Sequence, residues 1–222
     1  MHFTTTEENY IKAIYHLQQE TGNVSTNELA AELSTKPASI TDMLKKLTVK
    51  KLLRYERYKG VRLSSEGEKL ALAIVRKHRL WEYFLVNTLE FGWDEVHEVA
   101  EELEHISSKK LVEQLDLFLG YPKFDPHGDP IPDSQGRMVM QQQINLIDLA
   151  PDIPAEVCSV GSQSTELLEI LKHKQLGIGT KLQVKRKFSF DHSIEIKMKN
   201  LPAITISQQL AQSLFVKTIS ND

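Results

Sequence analysis

Side chains of the types that bind metal ions recur at helical spacing in the middle of the chain. His97, Glu101, Glu104 and His105 fall on one face of a helix predicted from Asp94 to about Ser107. Imidazole and carboxylate groups on one face can share a divalent cation. This spacing makes metal binding the first chemistry to consider.

A second pair of the same types precedes this group. His78 and Glu82 stand four residues apart on the preceding predicted helix, and the short break at Gly92 permits the two helices to pack antiparallel. Six ligand-type groups would then line one seam, where clustered carboxylates need protonation, water or a cation. Oxygen and imidazole donors without a thiolate favour Mn²⁺ or Fe²⁺ over structural zinc.

Enzyme chemistry fits these residues less well. A ferritin-like di-iron site needs Glu-x-x-His on each of two helices, and Glu102 with His105 provides that spacing once. Glu101 stands where the zinc-protease motif beginning at His97 would need a second histidine. Cys158 lies between valines, which is typical of a packed thiol. Two alternatives stay open: a di-metal carboxylate enzyme or metal-handling protein, and a regulator that senses a small organic ligand.

Charge is distributed unevenly along the chain. The formal net charge is -3, yet residues 36–62 carry nine basic and two acidic side chains. Residues 82–104 carry eight acidic side chains and no Lys or Arg. A basic segment is typical of a polyanion partner, and a carboxylate-dense one of a cation.

The basic segment coincides with a predicted winged helix-turn-helix. Ser25 and Glu28 form a capping-box pattern, Pro37 opens the next helix, and two strand-like runs are joined through Gly60. A helix that reads a major groove needs polar side chains flanked by cations. The predicted contacts to double-stranded operator DNA are Lys36, Pro37, Ser39, Thr41, Asp42, Lys45, Lys46, Arg57, Tyr58 and Lys59.

Four segments are predicted, and together they indicate a mainly α fold with small β elements. Residues 1–72 form the winged helix-turn-helix, and residues 73–120 a helical metal-binding domain whose excess apolar surface predicts a homodimer. Residues 121–155 hold six of the eight prolines and are interpreted as a linker or ordered loop. Alternating strand-like runs in residues 156–222 predict a small β-barrel.

The chain lacks signals for membranes or export. No apolar run approaches the roughly 18 residues of a transmembrane helix, and the N-terminus lacks the basic and apolar regions of a signal peptide. The single Cys158 fits a reducing compartment. We therefore expect a cytoplasmic protein without a membrane partner.

These features together resemble the diphtheria-toxin-repressor family of metal-dependent transcriptional regulators, which includes the manganese transport regulators. Residues 5–11, the helix-turn-helix, and residues 76–82, 96–105 and 126–132 carry the resemblance, which covers essentially the whole chain. The last segment is similar to ferrous-iron transport protein A. The resemblance implies a homodimeric repressor, not an enzyme, in which Mn²⁺ or Fe²⁺ is the co-repressor and no small organic substrate is involved.

The resemblance also implies the ligands. Glu101 stands where iron-responsive members have Cys, which favours manganese, and Lys12 stands where some manganese regulators have Glu. The implied primary site is Asn9, Glu101, Glu104 and His105, and the implied ancillary site is His78, Glu82 and His97. Further implied ligands are Asp125 and His127 in the proline-rich segment and Gln163 and Glu166 in the C-terminal one.

Overall fold

A computed structural model describes residues 3–56 and 60–219. The chain divides into two compact units. The first comprises the residues up to 78, with 101–114 and 132–137. The second comprises 79–100, 115–131 and the residues from 138 onward. Three helices, described below, contribute residues to both units. The predicted division into four segments is a different partition and stays a prediction.

The first unit begins with three helices and a hairpin. They are α1 (Thr5–Thr21), α2 (Thr26–Glu32), α3 (Pro37–Val49), β1 (Leu53–Glu56) and β2 (Gly60–Leu63). The hairpin is antiparallel. This order of elements is that of a winged helix-turn-helix, as the sequence predicted.

Local sequence explains where these helices begin. Ser25 and Glu28 form a complete capping box at the start of α2, and Pro37 occupies the first turn of α3, as predicted. Thr4 caps α1 in the same way with Glu7. The first unit closes around a single apolar core, in which Ile11, Ile40 and Leu47 are fully buried.

Three further helices follow: α4 (Ser65–Leu89), α5 (Val96–Leu103) and α6 (Lys109–Phe118). The helix predicted to continue to about Ser107 ends earlier, at Leu103. Glu104 and His105 lie in the turn that follows α5, where the Ile106 amide donates to the Leu103 carbonyl. They are therefore not part of the same helical face as His97 and Glu101.

The second unit is built on a six-stranded antiparallel sheet. Its strands are β3 (Ile144–Asn145), β4 (Pro154–Val160), β5 (Lys181–Lys187), β6 (Ile194–Met198), β7 (Ile204–Ile206) and β8 (Leu214–Thr218). Their spatial order is β3-β8-β4-β5-β6-β7. The segment predicted to be a linker or ordered loop thus supplies one edge strand and the start of β4.

The prediction of a small β-barrel is wrong, because the sheet is open. Within residues 3–56 and 60–219 no ladder joins the two edge strands, β3 and β7, which are two and three residues long. Two further helices, α7 (Thr165–His173) and α8 (Gln208–Gln212), contribute to the core of this unit instead. Helical side chains such as Leu171 and Leu210 thus cover apolar surface that closure would otherwise bury.

The architecture is mixed α/β rather than mainly α. In the part of the chain that the structure describes, no helix is both long enough and apolar enough to cross a membrane.

Candidate metal centres and DNA-binding surface

Three ligand-type side chains meet in the interior of the second unit. Glu82 on α4 meets Asp125 and His127 from the loop after α6, and their ligand atoms lie within 4.8 Å of one another. All three residues are buried. We call Glu82, Asp125 and His127 the buried set.

The loop that carries Asp125 and His127 is held by its own hydrogen bonds. Asp125 Oδ1 accepts from the backbone amides of His127 and Asp129 at 2.8 and 2.9 Å. The Val160 amide donates to the His127 carbonyl, which fastens the loop to β4. Gly128 has φ +87°, and a Cβ there would lie 2.0 Å from the Cys158 carbonyl oxygen. Only glycine lets this loop approach the strand so closely.

The imidazole of His127 is oriented by Trp93. Nε2 of His127 lies 2.8 Å from the Trp93 carbonyl oxygen, to which it can only donate. The Trp93 ring stacks on the imidazole at 5.9 Å between centroids. With the proton on Nε2, the lone pair of a neutral His127 is on Nδ1, which lies 3.7 Å from Glu82 Oε2. Such a contact on the far nitrogen is how proteins orient metal-binding histidines.

Burial and neighbouring charges shift the pKa values of the buried set. Burial, with the charges of Asp129 and Glu82, raises the pKa of Asp125 to about 7. Burial opposes a charge on His127, but the Glu82 and Asp125 carboxylates outweigh it and raise the pKa of His127. The Arg79 guanidinium offsets the negative charge of these carboxylates only partly, since it lies 3.5 Å from Asp125 Oδ2 and 3.6 Å from Asp129 Oδ2.

Donor chemistry and unsatisfied atoms of the buried set both fit a divalent ion. Asp125 Oδ2 and His127 Nδ1 are buried and make no hydrogen bond. Buried polar atoms of this kind are rare unless a water or an ion satisfies them. Two carboxylates and one imidazole are donors suited to Mn²⁺ or Fe²⁺.

Three other predicted ligands belong to the second unit. His97 Nδ1 is 3.3 Å from Glu82 Oε1, and the His97 side chain is 45% exposed. Gln163 donates to Asp129 Oδ2 at 3.1 Å, one contact away from Asp125. Glu166 is exposed in the first turn of α7, outside the groups of close ligand atoms found among the described residues. A metal-binding role for each stays a prediction.

A second group of ligand-type atoms lies in the first unit. His78, Glu101 and Glu104 also have ligand atoms within 4.8 Å of one another, and His78 Nδ1 lies 2.6 Å from Glu104 Oε2. The Lys12 ammonium lies 2.7 Å from Glu101 Oε1 and 2.8 Å from Glu104 Oε1. We call His78, Glu101, Glu104 and Lys12 the lysine-bridged set.

Lys12 changes the electrostatics of this set. Burial acts to raise the pKa of Glu104, but the contacts with His78 and Lys12 outweigh it, so the pKa is lowered. A lowered pKa means that the charged form of Glu104 is favoured where it lies, the reverse of the situation at Asp125.

Three side chains of the implied primary site contact residues of α1. His105 Nδ1 lies 2.6 Å from Glu8 Oε2, so Glu8, rather than Asn9, is the α1 side chain that contacts His105. Glu101 and Glu104 contact Lys12 instead. Of the implied ancillary ligands, His78 belongs to the first unit, and Glu82 and His97 belong to the second. Both ligand sets stay predictions.

The first turn of α1 is also tied to α3. Buried Glu7 accepts from Lys50 at 2.6 Å and pairs with Lys46 at 2.9 Å. Burial acts to raise the pKa of Glu7, but Lys50, Lys46 and the Thr4 amide lower it from 4.5 to about 2. One helix therefore contacts α3 through Glu7 and the residues at the end of α5 through Glu8 and Lys12.

The predicted DNA contacts on α3 form an exposed face. Lys36 and Pro37 at its start, and Ser39, Thr41, Asp42, Lys45 and Lys46 along it, are all exposed. Thr41 donates to the Pro37 carbonyl at 3.0 Å, and Lys45 pairs with Asp42 at 3.3 Å. The predicted contacts Arg57, Tyr58 and Lys59 lie outside the described residues.

Sequence reasoning missed three residues that the structure brings to these surfaces. Arg54 and Arg62 are paired directly across the hairpin, and both are exposed. Like charges directly opposite in a sheet repel unless an anion such as phosphate lies nearby. The available signal was in β2, where Arg62 lies between the buried residues Val61 and Leu63. Glu8 had no such signal, since its partner His105 is 97 residues away.

Comparison with known proteins identifies both parts of this arrangement. The family model for the iron dependent repressor N-terminal DNA binding domain matches residues 2–61. The model for the iron dependent repressor metal binding and dimerisation domain matches residues 64–133. Together they cover more than half of the chain.

Individual relatives agree with this assignment. The iron-dependent repressor IdeR of Mycobacterium tuberculosis is 27% identical over 96% of this chain and 97% of its own length. The transcriptional regulator MntR of Bacillus subtilis is 31% identical over 53% of this chain and 82% of its own. A manganese-dependent transcriptional repressor solved with manganese is 30% identical, with a TM-score of 0.84, over 96% of this chain and 100% of that one.

These relatives bear out the resemblance read from the sequence and favour a regulator over the enzyme alternative. The chain belongs to the iron-dependent repressor family, the iron- and manganese-dependent transcriptional repressors that join a DNA-binding domain to a metal-binding and dimerisation domain.

Proposed function

We propose that this chain is a cytoplasmic, manganese-activated repressor that binds operator DNA as a homodimer and acts in metal homeostasis. The observation that carries the choice of metal site is the buried set, in which Asp125 Oδ2 and His127 Nδ1 are buried without hydrogen bonds. Glu82, Asp125 and His127 would hold the ion, with His97 at the exposed side of Glu82. The ion would supply positive charge that offsets the clustered carboxylates.

Manganese is favoured over zinc by the donors. Neither the buried set nor the lysine-bridged set contains a sulfur atom, and carboxylate oxygens predominate in both. Carboxylate-rich sites suit Mn²⁺ better than soft thiolate sites do. Fe²⁺ shares this preference for oxygen and nitrogen, so the proposal ranks manganese first and iron second.

Helix α1 is the proposed link between ligand residues and the DNA-reading helix. Glu7 fastens α1 to Lys46 and Lys50 of α3, while Glu8 contacts His105. Binding of a metal ion by His105 together with Glu8 or Asn9 of α1 would restrict α1 and, through it, α3. A winged helix that is already held in one orientation can place its reading helix in the major groove without losing further conformational freedom on binding DNA.

Base reading is assigned to the exposed polar residues of α3. Ser39 and Thr41 would set base preference, and Lys36, Lys45 and the hairpin arginines Arg54 and Arg62 would contact phosphates. Gln163 and Glu166 are retained only as candidate ligands from the C-terminal segment.

Fluorescence anisotropy with a genomic fragment library at fixed salt tests the proposed function. Protein treated with chelator is compared with protein in Mn²⁺, anaerobic Fe²⁺ and Zn²⁺. We expect tight, sequence-selective binding only with metal, with Mn²⁺ the most effective ion. Selective binding that is unaffected by chelator would contradict activation by metal. Tighter operator binding with Zn²⁺ than with Mn²⁺ would contradict the preference inferred from the donor atoms.

A further inference from the structure

Lys12 lies where the chemistry of its neighbours suits a metal ion. Its ammonium is bonded to Glu101 and Glu104, which with His78 form a group of potential metal ligands. The Lys12 side chain is only 13% exposed, and Glu104 is fully buried. The pair with Glu104 is therefore buried, whereas Glu101, whose side chain is 45% exposed, forms the outer side of the set.

The ammonium competes with a divalent ion for the same oxygens. Nζ of Lys12 lies 2.7 Å from Glu101 Oε1 and 2.8 and 2.9 Å from the two carboxylate oxygens of Glu104. A first-row divalent ion would need such oxygens at about 2.1 Å, in the region that the ammonium fills. His78 Nδ1 is engaged at the same time by Glu104 Oε2, at 2.6 Å.

We propose that the Lys12 ammonium is the resident cation of the lysine-bridged set, so that His78, Glu101 and Glu104 together take no divalent ion in this protein. Lys12 then contacts Glu101 and Glu104 whether or not metal is present, so that any metal-dependent restriction of α1 acts through Glu8 and His105. It is a specificity-determining residue, because it limits how many ions the first unit accepts. The inference rests on the proposed function only in assuming that the chain binds divalent metal elsewhere.

Replacing the ammonium should convert the set into a metal site. Lys12→Gln removes the positive charge and leaves the two carboxylates close together. Lys12→Glu adds a third carboxylate to them. In both variants the repulsion would be relieved by an added divalent cation. Lys69→Gln is the matched control, because Lys69 pairs with Glu66 on the exposed surface of the same unit.

Equilibrium dialysis against Mn²⁺ with metal analysis, together with thermal unfolding in chelator and in Mn²⁺, tests the inference. We expect both Lys12 variants to bind one more Mn²⁺ per chain than the wild type and the Lys69→Gln control. We also expect both to unfold at a lower temperature in chelator and to recover more than the wild type on adding Mn²⁺.

An unchanged stoichiometry, with a loss of stability that Mn²⁺ does not repair, would overturn the inference and leave Lys12 a purely structural ion pair. A separate result would contradict the proposed function, namely a wild-type protein that binds no Mn²⁺. An ion gained only by the Lys12 variants would still support the inference in that case.

Discussion

The two groups of ligand-type residues solve the same electrostatic problem differently. In the first unit, a lysine ammonium contacts two carboxylates at 2.7 and 2.8 Å. In the second unit, Arg79 stays at 3.5 and 3.6 Å from Asp125 and Asp129. Contacts with His78 and Lys12 outweigh burial and lower the pKa of Glu104, whereas burial and the charges of Asp129 and Glu82 raise the pKa of Asp125 to about 7.

This difference is the basis for proposing the metal site at the buried set. Carboxylates in close contact with a cation gain little from a metal ion, whereas a buried carboxylate whose charge is disfavoured gains more from one. By composition alone the two groups are equally good candidates for metal binding, because each contains two carboxylates and one histidine. Their difference lies in a cation from α1 that is distant in sequence.

The largest effect is expected when the buried set loses a charge. Asp125→Asn keeps the Oδ1 acceptor of the loop but removes the carboxylate, so Mn²⁺ affinity should fall by at least about 100-fold. Because the charge of Asp125 is disfavoured in the folded state, the metal-free variant should be no less stable than the wild type. Calorimetric titration with Mn²⁺ and thermal unfolding measure both effects.

Glu169→Gln is the matched control, since Glu169 is an exposed acid of the same unit. An Asp125→Asn protein that binds Mn²⁺ as tightly as the control would remove Asp125 from the ligands.

The loop of the buried set can be tested through its glycine. Gly128→Ala places a Cβ against the Cys158 carbonyl and should lower the free energy of unfolding by about 2–4 kcal/mol. Gly120→Ala is the matched control: its φ is +74° and nothing lies within 4 Å, so only backbone strain of about 1 kcal/mol is expected. Equal losses in chemical unfolding would mean that the close approach of loop and strand is unimportant.

The ion pairs of buried Glu7 with two lysines predict that the stability of the protein depends on pH. Glu7 has a folded-state pKa of about 2, below its ordinary value of 4.5. Its stabilisation should therefore be complete above pH 4.5 and lost as the pH falls toward 2. Glu7→Gln should cost about 2 kcal/mol at pH 7, with a difference from wild type that shrinks in acid. Unfolding measured between pH 7 and 3 checks this, and a constant difference would contradict the assigned pairing.

The smallest effect concerns two neighbouring lysines of α3. Lys46 pairs with buried Glu7, whereas Lys45 pairs with exposed Asp42. Lys45→Gln should lower the salt dependence of operator binding by about one unit, the value of one phosphate contact. Lys46→Gln should lower it less, because part of its charge is used within the protein. Equal slopes in salt titrations would show that Lys46 contacts DNA as fully as Lys45.

Local signals in the sequence predicted the DNA-binding elements well. The Ser25–Glu28 capping box and Pro37 act within a few residues of one another, so α2 and α3 begin where expected. Sheet closure was predicted wrongly because alternation reveals strands but not which edges pair. The edge strand β3 also comes from the proline-rich segment, where no strand was expected.

The candidate sites were only partly predictable, for a related reason. His97 and Glu101 could be grouped by helical spacing, but the end of α5 at Leu103 removes Glu104 and His105 from that face. Asp125 and His127 were suggested by family resemblance alone. The bond from Lys12 to Glu101 spans 89 residues, and nothing near Lys12 in the sequence indicates its partner.

The affinity of the wild-type protein for Mn²⁺, measured with and without saturating operator DNA, tests the central claim most directly. If metal binding and DNA binding are coupled, operator must tighten Mn²⁺ binding by the factor by which Mn²⁺ tightens operator binding, about 5–150-fold for such systems. The proposed repressor predicts a lower Kd for Mn²⁺ in the presence of operator. An unchanged Kd would contradict it.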